Sequence, residues 1–433
     1  MGRVGFWLTL IIIVSALTGI IVYKELALDQ TAKLLPAKTP PPKRVIRAAT
    51  PDPVIDSAAL PEPRDTPRQP VVGYHSDWEK VYGGRRSDYF SQVAVSESGD
   101  LIMAGRTESK GAGAGDIWLM HTNAAGKPLW DHTYGGKAYE ELYHLLPLPR
   151  NHMLLVGTTE SVGQGKADGW VFEVNGKGKI VWQKTYGGKN QDFLRYALRL
   201  GKGGYLLVGG TKSSKSRTID GWLIKTNRRG SIRWQRTYGG AQFMHFNHAL
   251  PLAGNQVLLI GQGQEKVSHG LDGLIVQIDG KGQVVNKVYV GEREEENFQF
   301  GLQLDNGDFL LAGYTESKGS GQTDGWLVRL NNQGRAVWEK TYGGASRDAL
   351  RQIIALEEDR WLLVGDTGSR KSKSNDGWLL IVDGEGSVIW EDQFGGNGAD
   401  WFRYAHAADG LVLVGSKHDR TNHAWLVHMA PSR

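Results

Sequence analysis

Five dipeptides hold the residue types from which a binding or catalytic site could be made: Tyr143-His144, Arg195-Tyr196, Asn247-His248, Arg351-Gln352 and Arg403-Tyr404. With Ser91-Gln92 and Gln299-Phe300 added, each pair begins 52 residues after the one before. Arginine offers a planar, permanently charged fork suited to carboxylate or phosphate, while tyrosine and histidine offer ring faces with polar tips. Two residues further on the slot turns small or apolar, at Val93, Leu145, Ala197, Ala249, Gly301, Ile353 and Ala405. This implies a polar collar above a tighter throat. Convergent polar groups in a concavity are the usual place for a ligand. His144, Arg195, Tyr196, His248, Arg351, Arg403 and Tyr404 are therefore the candidate ligand- or partner-binding residues, and His144 and His248 are the obvious bases among them.

A carboxylate follows each Y-G-G turn at Asp88, Glu140, Asp192, Glu296, Asp348 and Asp400, with Met244 in the remaining slot. Metal binding or acid–base chemistry could use such groups. Recurrence in nearly every copy marks a structural device instead, a turn carboxylate accepting local N–H groups. The Asp of each D-G-W has the same character, because the alternating carboxylates of a Ca²⁺ loop are missing. Lys110-Gly111-Ala112-Gly113-Ala114-Gly115 has a phosphate cradle's composition but no following Lys-Ser/Thr and helix. No metal, cofactor or catalytic residue is expected. Three loops are basic, with Lys212, Lys215 and Arg217, then Lys318, then Arg370, Lys371 and Lys373. They could meet an anionic partner, although solvated loop charge is the plainer reading.

The elements that position these residues come from a strict repeat. W-x-x-x-Y-G-G begins at Trp78, Trp130, Trp182, Trp234 and Trp338, with Phe in the Tyr place after Trp390 and Asn286 in the missing slot, and D-G-W recurs with the same 52-residue period, as D-I-W at Asp116 and D-G-L at Asp272. A glycine closes an apolar run at Gly105, Gly157, Gly209, Gly261, Gly313, Gly365 and Gly415. Each period reads as four short, partly alternating strands rich in β-branched and aromatic residues. Four-stranded units repeated about an axis make propeller blades, so the expectation is an all-β, seven-bladed β-propeller over residues 72–430. The dipeptides then start the innermost strands and ring the mouth of a central channel. Residues 72–84 supply a fourth strand before any first strand, and the chain stops after a third strand, so a 3+1 pairing is expected to close the ring. Both Trp of each repeat are expected in the core. The fourth copy departs from the pattern at Met244, Leu274, Asn286 and Val290.

The segments Asn123-Ala124-Ala125-Gly126-x3-Trp130 and Asn331-Asn332-Gln333-Gly334-x3-Trp338 resemble the tryptophan-docking motif of quinoprotein-like (PQQ-like) propellers. The whole D-G-W…W-x-x-T-Y-G-G unit is similar to repeats of many secreted or surface bacterial and archaeal propellers of unassigned function. The resemblance covers residues 72–430 and implies an extracytoplasmic propeller, often a scaffold, with no enzyme implied.

The remaining chain reads differently. Val4 to Tyr23 is twenty residues without a charge, long enough at about 30 Å for one transmembrane helix. Arg3 precedes it, so positive-inside logic puts the N-terminus in the cytoplasm and the rest outside, on the inner membrane's periplasmic side. Residues 24–71 form a Pro-rich linker, ten of the fifteen Pro lying within 36–70, with a reach between about 40 and 140 Å. The net charge of +5 is largely spent before residue 71, which argues against a nucleic-acid partner. The leading expectation is thus a binding or scaffold module for a protein or envelope polymer, with a small-molecule ligand possible in the channel. The alternative is an enzyme at the channel mouth, a quinone-dependent dehydrogenase or a polymer lyase.

Overall fold

The computed structural model describes residues 72–432 apart from 202, 266–269, 370–373 and 409. The expected membrane helix at 4–23, the linker and the basic trio Arg370, Lys371 and Lys373 lie outside the described residues. No described helix is long and apolar enough to cross a membrane.

Seven four-stranded antiparallel sheets form a seven-bladed β-propeller. Blade I runs from Asp88 to Tyr134, II from Glu140 to Tyr186, III from Asp192 to Tyr238, IV from Met244 to Val290, V from Glu296 to Tyr342 and VI from Asp348 to Phe394. Blade VII combines Trp401–Ala408, Gly410–Asp419 and Thr421–Ser432 with the first described strand, Gly73–Tyr82, which pairs antiparallel with Thr421–Ser432. In blade III the strands are Asp192–Arg199, Tyr205–Thr211, Asp220–Thr226 and Ile232–Tyr238.

The core is not inside the blades but between them. Leu142, Leu155 and Phe172 of blade II pack against Ile117 and Leu119 of blade I, whereas Val156 and Val171 of blade II pack against Leu207 and Ile224 of blade III. Each blade thus buries both faces, and its second and third strands are buried nearly throughout, as in Asp324–Leu330. The outermost strands are instead largely exposed, as in Ile180–Tyr186 and Ala336–Tyr342. Continuous apolar runs follow when a sheet is covered on both sides.

The D-G-W tryptophans are core residues, Trp118, Trp326 and Trp378 being fully buried. The W-x-x-x-Y tryptophans are not, contrary to expectation: Trp130, Trp182 and Trp338 are only half-buried. They stand on the outermost strand and lie against the next blade's turn glycine, Trp182 against Gly230 and Trp338 against Gly386. The Tyr four residues on completes this latch. Tyr82, Tyr134, Tyr186, Tyr238 and Tyr342 each donate a hydroxyl to the next blade's turn carbonyl, at Gly126, Gly178, Gly230, Gly282 and Gly386, over 2.6–2.8 Å. Blade IV lacks both parts. Its Asn286 reaches only the Gln333 carbonyl at 3.4 Å, and Val290 has no donor.

The carboxylates after Y-G-G pin the turns. Asp192 accepts from the Gly188 N–H at 2.8 Å and the Ser213 hydroxyl at 2.6 Å, and also from the Thr211 hydroxyl. Glu140 accepts from Gly136 N–H at 3.0 Å and Thr159 at 2.8 Å. Buried carboxylates saturated by local donors are turn hardware.

Candidate functional site

Each innermost strand carries a β-bulge at the first residue of the variable pair, so that register shifts between Phe90 and Gln92, Leu142 and His144, Leu194 and Tyr196, and likewise in every other blade. A bulge leaves one residue unpaired and re-aims its side chain. The bulge explains the glycine of the second strand. A Cβ on Gly209 would stand 2.0 Å from the Phe193 carbonyl oxygen, and one on Gly313 would stand 1.8 Å from that of Asn297. Only a bare backbone can pass there.

The seven bulges bring the predicted residues together. A cavity of about 590 Å³ is lined by His144, Arg195, Tyr196, His248, Arg351, Arg403 and Tyr404, with Tyr143, Asn247 and Gln299. Gln352 departs from the collar. It turns between blades, its amide donating to the Ala405 carbonyl at 3.0 Å and accepting from the Ala405 N–H at 2.7 Å.

The wall has two tiers. First-slot residues form the polar upper tier. Arg351 is ion-paired with Asp366 at 2.8 Å. Arg195 lies over the rings of Tyr143, at 4.7 Å, and Phe193, at 5.2 Å, and its buried Nε has no hydrogen-bond partner. Arg403 lies over Trp401 at 4.8 Å, open to the cavity and without an ion pair among the described residues. The surrounding walls withdraw Arg403 from bulk water and Arg351 repels it, which lowers its pKa to about 10. Guanidiniums on ring faces are held by cation–π attraction, which leaves their N–H edges free.

Second-slot residues form a belt of rings. His144 stacks on Tyr196 at 4.1 Å, Tyr196 meets His248 at 4.4 Å, and His248 meets Phe300 at 4.3 Å. His144 Nδ1 accepts the N–H of Ala197 in the next blade at 3.3 Å, as Gln352 accepts that of Ala405 in the blade after its own. Burial pushes the pKa of His144 and of His248 down to about 3, His144 adding to the effect at His248. Burial also raises Tyr143, Tyr196 and Tyr404. These rings are neutral around pH 7.

Four further residues of the wall escaped the sequence reading: Tyr89, Glu141, Leu142 and Trp401. The Tyr89 and Tyr139 hydroxyls both donate to Glu141, at 2.5 Å each. Tyr89, Glu141, Phe193, His245, Asn297, Ala349 and Trp401 occupy a third variable slot with the same 52-residue period. That variation was the available signal. Of the basic loops, Lys318 is engaged by Glu339 at 2.5 Å and Glu292 at 3.5 Å, so it is not a free cation.

No known protein family matches the chain, and no curated protein does. Solved propellers are similar in fold. A puromycin hydrolase is 15% identical with a TM-score of 0.50, over 84% of this chain and 56% of its own. BBS1N, solved in complex with ARL6DN, is 9% identical with a TM-score of 0.48, over 84% and 98%. A quinohemoprotein alcohol dehydrogenase from Comamonas testosteroni is 9% identical with a TM-score of 0.46, over 84% and 77%. At these identities the likeness is one of fold alone.

Proposed function

We propose that the chain is an extracytoplasmic binding module, tethered to the membrane through residues 4–23 and held clear of it by 24–71. It takes an anionic group of a partner protein or envelope polymer into the mouth of its propeller. In this reading Gly73–Tyr82 closes the ring by completing the blade that begins at Trp401, three strands from one end of the chain and one from the other.

One observation carries the proposal: Arg195 and Arg403 face the cavity on aromatic supports without a carboxylate partner among the described residues. Unpaired guanidiniums in a walled space favour an incoming carboxylate, sulfate or phosphate. The ring belt below them offers flat faces to an apolar or sugar surface. The enzyme reading fits less well. Taking a proton from an alcohol beside a quinone, or from a polymer's sugar, needs a base that titrates near neutrality. His144 and His248 are pushed far below that, and Glu141 is already occupied by two tyrosine hydroxyls. These residues do not suit a quinone-dependent dehydrogenase.

The test is a pull-down from solubilised membranes and envelope extract with the full chain as bait, beside Arg195→Ala/Arg403→Ala. A partner held by the first bait and lost from the second, and lost also at high salt, supports the reading. A partner held equally by both baits refutes the mouth as its site. Alkaline carbonate extraction tests the tether, because release of the chain into the supernatant would contradict an integral anchor.

A further inference from the structure

The face opposite the mouth carries the turns after the first and third strands. There blades II and III frame a groove of about 650 Å³ whose lining includes Arg150, Arg199, Arg228 and Arg229 around Trp182 and Tyr205. All four arginines are exposed, and none of their guanidiniums has an ion-pair or hydrogen-bond partner among the described residues. The groove's carboxylate, Glu173, is already committed to the wall. It accepts the Trp182 indole N–H at 2.7 Å and pairs with His152 at 2.6 Å.

The repeat shows that the fold does not require these arginines. Slots equivalent to Arg199 hold Val95, Pro147, Pro251, Gln303, Ala355 and Ala407. Those equivalent to Arg228 hold Ala124, Gly176, Gly280, Asn332 and Gly384. Equivalent blades fold with small or neutral residues there, so the two arginines are peculiar to this seam. The loop beside them is shaped around one of them. A Cβ on Gly203 would stand 2.0 Å from Arg228 Nε, so the side chain lies directly on bare backbone. Gly203 and Gly204 both take positive φ, 84° and 109°, where other residues are strained.

We propose that this groove is a second binding site, separate from the mouth, for a phosphate group carried on an apolar stem. Arg199 and Arg228 are its principal ligands. Guanidinium forks match tetrahedral oxyanions bidentately, and several converge here with one engaged acid. The indole of Trp182 and the exposed Val181 give the stem an apolar wall. A lipid headgroup and a soluble phosphate ester share this chemistry, and the experiment separates them.

The full chain in non-ionic detergent is titrated with short-chain phosphatidic acid, with the matching phosphatidylcholine and with inorganic pyrophosphate, and binding is read by native mass spectrometry. Phosphatidic acid should bind at least about tenfold more tightly than phosphatidylcholine, and Arg199→Ala/Arg228→Ala should lose about tenfold or more. Arg228→Lys keeps the charge without the fork and should fall between them. Arg195→Ala/Arg403→Ala, at the mouth, should change nothing here. Pyrophosphate binding that is lost in the same double variant identifies a soluble phosphate as sufficient; phosphatidic acid binding alone identifies a lipid. Equal binding by the parent chain and the groove variant, or equal binding of the two lipids, overturns the proposal. Because the arginines are exposed, the variants should melt with the parent chain, which keeps a loss of binding from being a loss of fold.

Discussion

Replacing His144 by Gln and His248 by Phe should leave the propeller intact at neutral pH and remove most of its sensitivity to acid. Both changes have a precedent in the ring. Gln352 occupies the slot equivalent to His144 and bridges to the next blade's backbone, and Phe300 occupies the slot equivalent to His248. His144, His245 and His248 are 8%, 7% and 5% exposed, and burial pushes each pKa from 6.5 down to about 3. An unfolded chain protonates these rings as pH falls through about 6.5, whereas the folded chain resists until near pH 3. Stability from the neutral rings is therefore complete above about pH 6.5 and declines below it. At about pH 4.5 the deficit is two pH units, or about 3 kcal/mol for each ring, and about 8 kcal/mol for three. That rivals a typical total of roughly 5–15 kcal/mol. The double variant keeps only His245 of the three, so it should retain about 5 kcal/mol more than the parent at that pH. Urea unfolding followed by tryptophan fluorescence at neutral pH and at about pH 4.5 measures the difference. If parent and variant lose the same stability on acidification, the buried-histidine account is wrong.

Three other outcomes are expected. Gly209→Ala should cost about 2–4 kcal/mol and lower the melting temperature, because its methyl meets the Phe193 carbonyl 2.0 Å away and the bulge that aims Arg195 must shift. Tyr186→Phe should cost about 1 kcal/mol by removing its latch to Gly230, whereas Tyr289→Phe, whose buried hydroxyl has no partner, should not lower stability in the same denaturation assay. Deleting residues 72–84 should broaden the cooperative melting transition, and a calorimetric profile like the parent's would show that this strand is dispensable.

The blade pattern was legible because it repeats. Strict 52-residue spacing made Trp, Gly and Asp markers stand out, and strand positions followed within a residue or so, as in Asp192–Arg199. The collar was legible for the opposite reason: its slots vary while their surroundings do not. What stayed hidden needed three dimensions. Period-two reasoning sends neighbours to opposite faces, yet the bulge lets Arg195 and Tyr196 both line the cavity. Spacing alone could not say that Gln352 turns to backbone while His248 faces the channel. Nor could it separate Trp326, enclosed between two blades, from Trp338 on the exposed outer strand. Glu141 stayed hidden although its slot varies as the collar's do, because only the folded structure shows that this slot also reaches the cavity.

The pairing of Gly73–Tyr82 with Thr421–Ser432 also sets how the molecule bears tension. A pull applied at Gly73 along the strand's own axis would load this ladder in shear, so that the backbone bonds share the force instead of parting one by one. The same strand carries Trp78 and Tyr82, which grip blade I at Gly126, so the load passes at once into two blades. The first described strand is thereby held by two blades at once, and a load along its axis is shared between them.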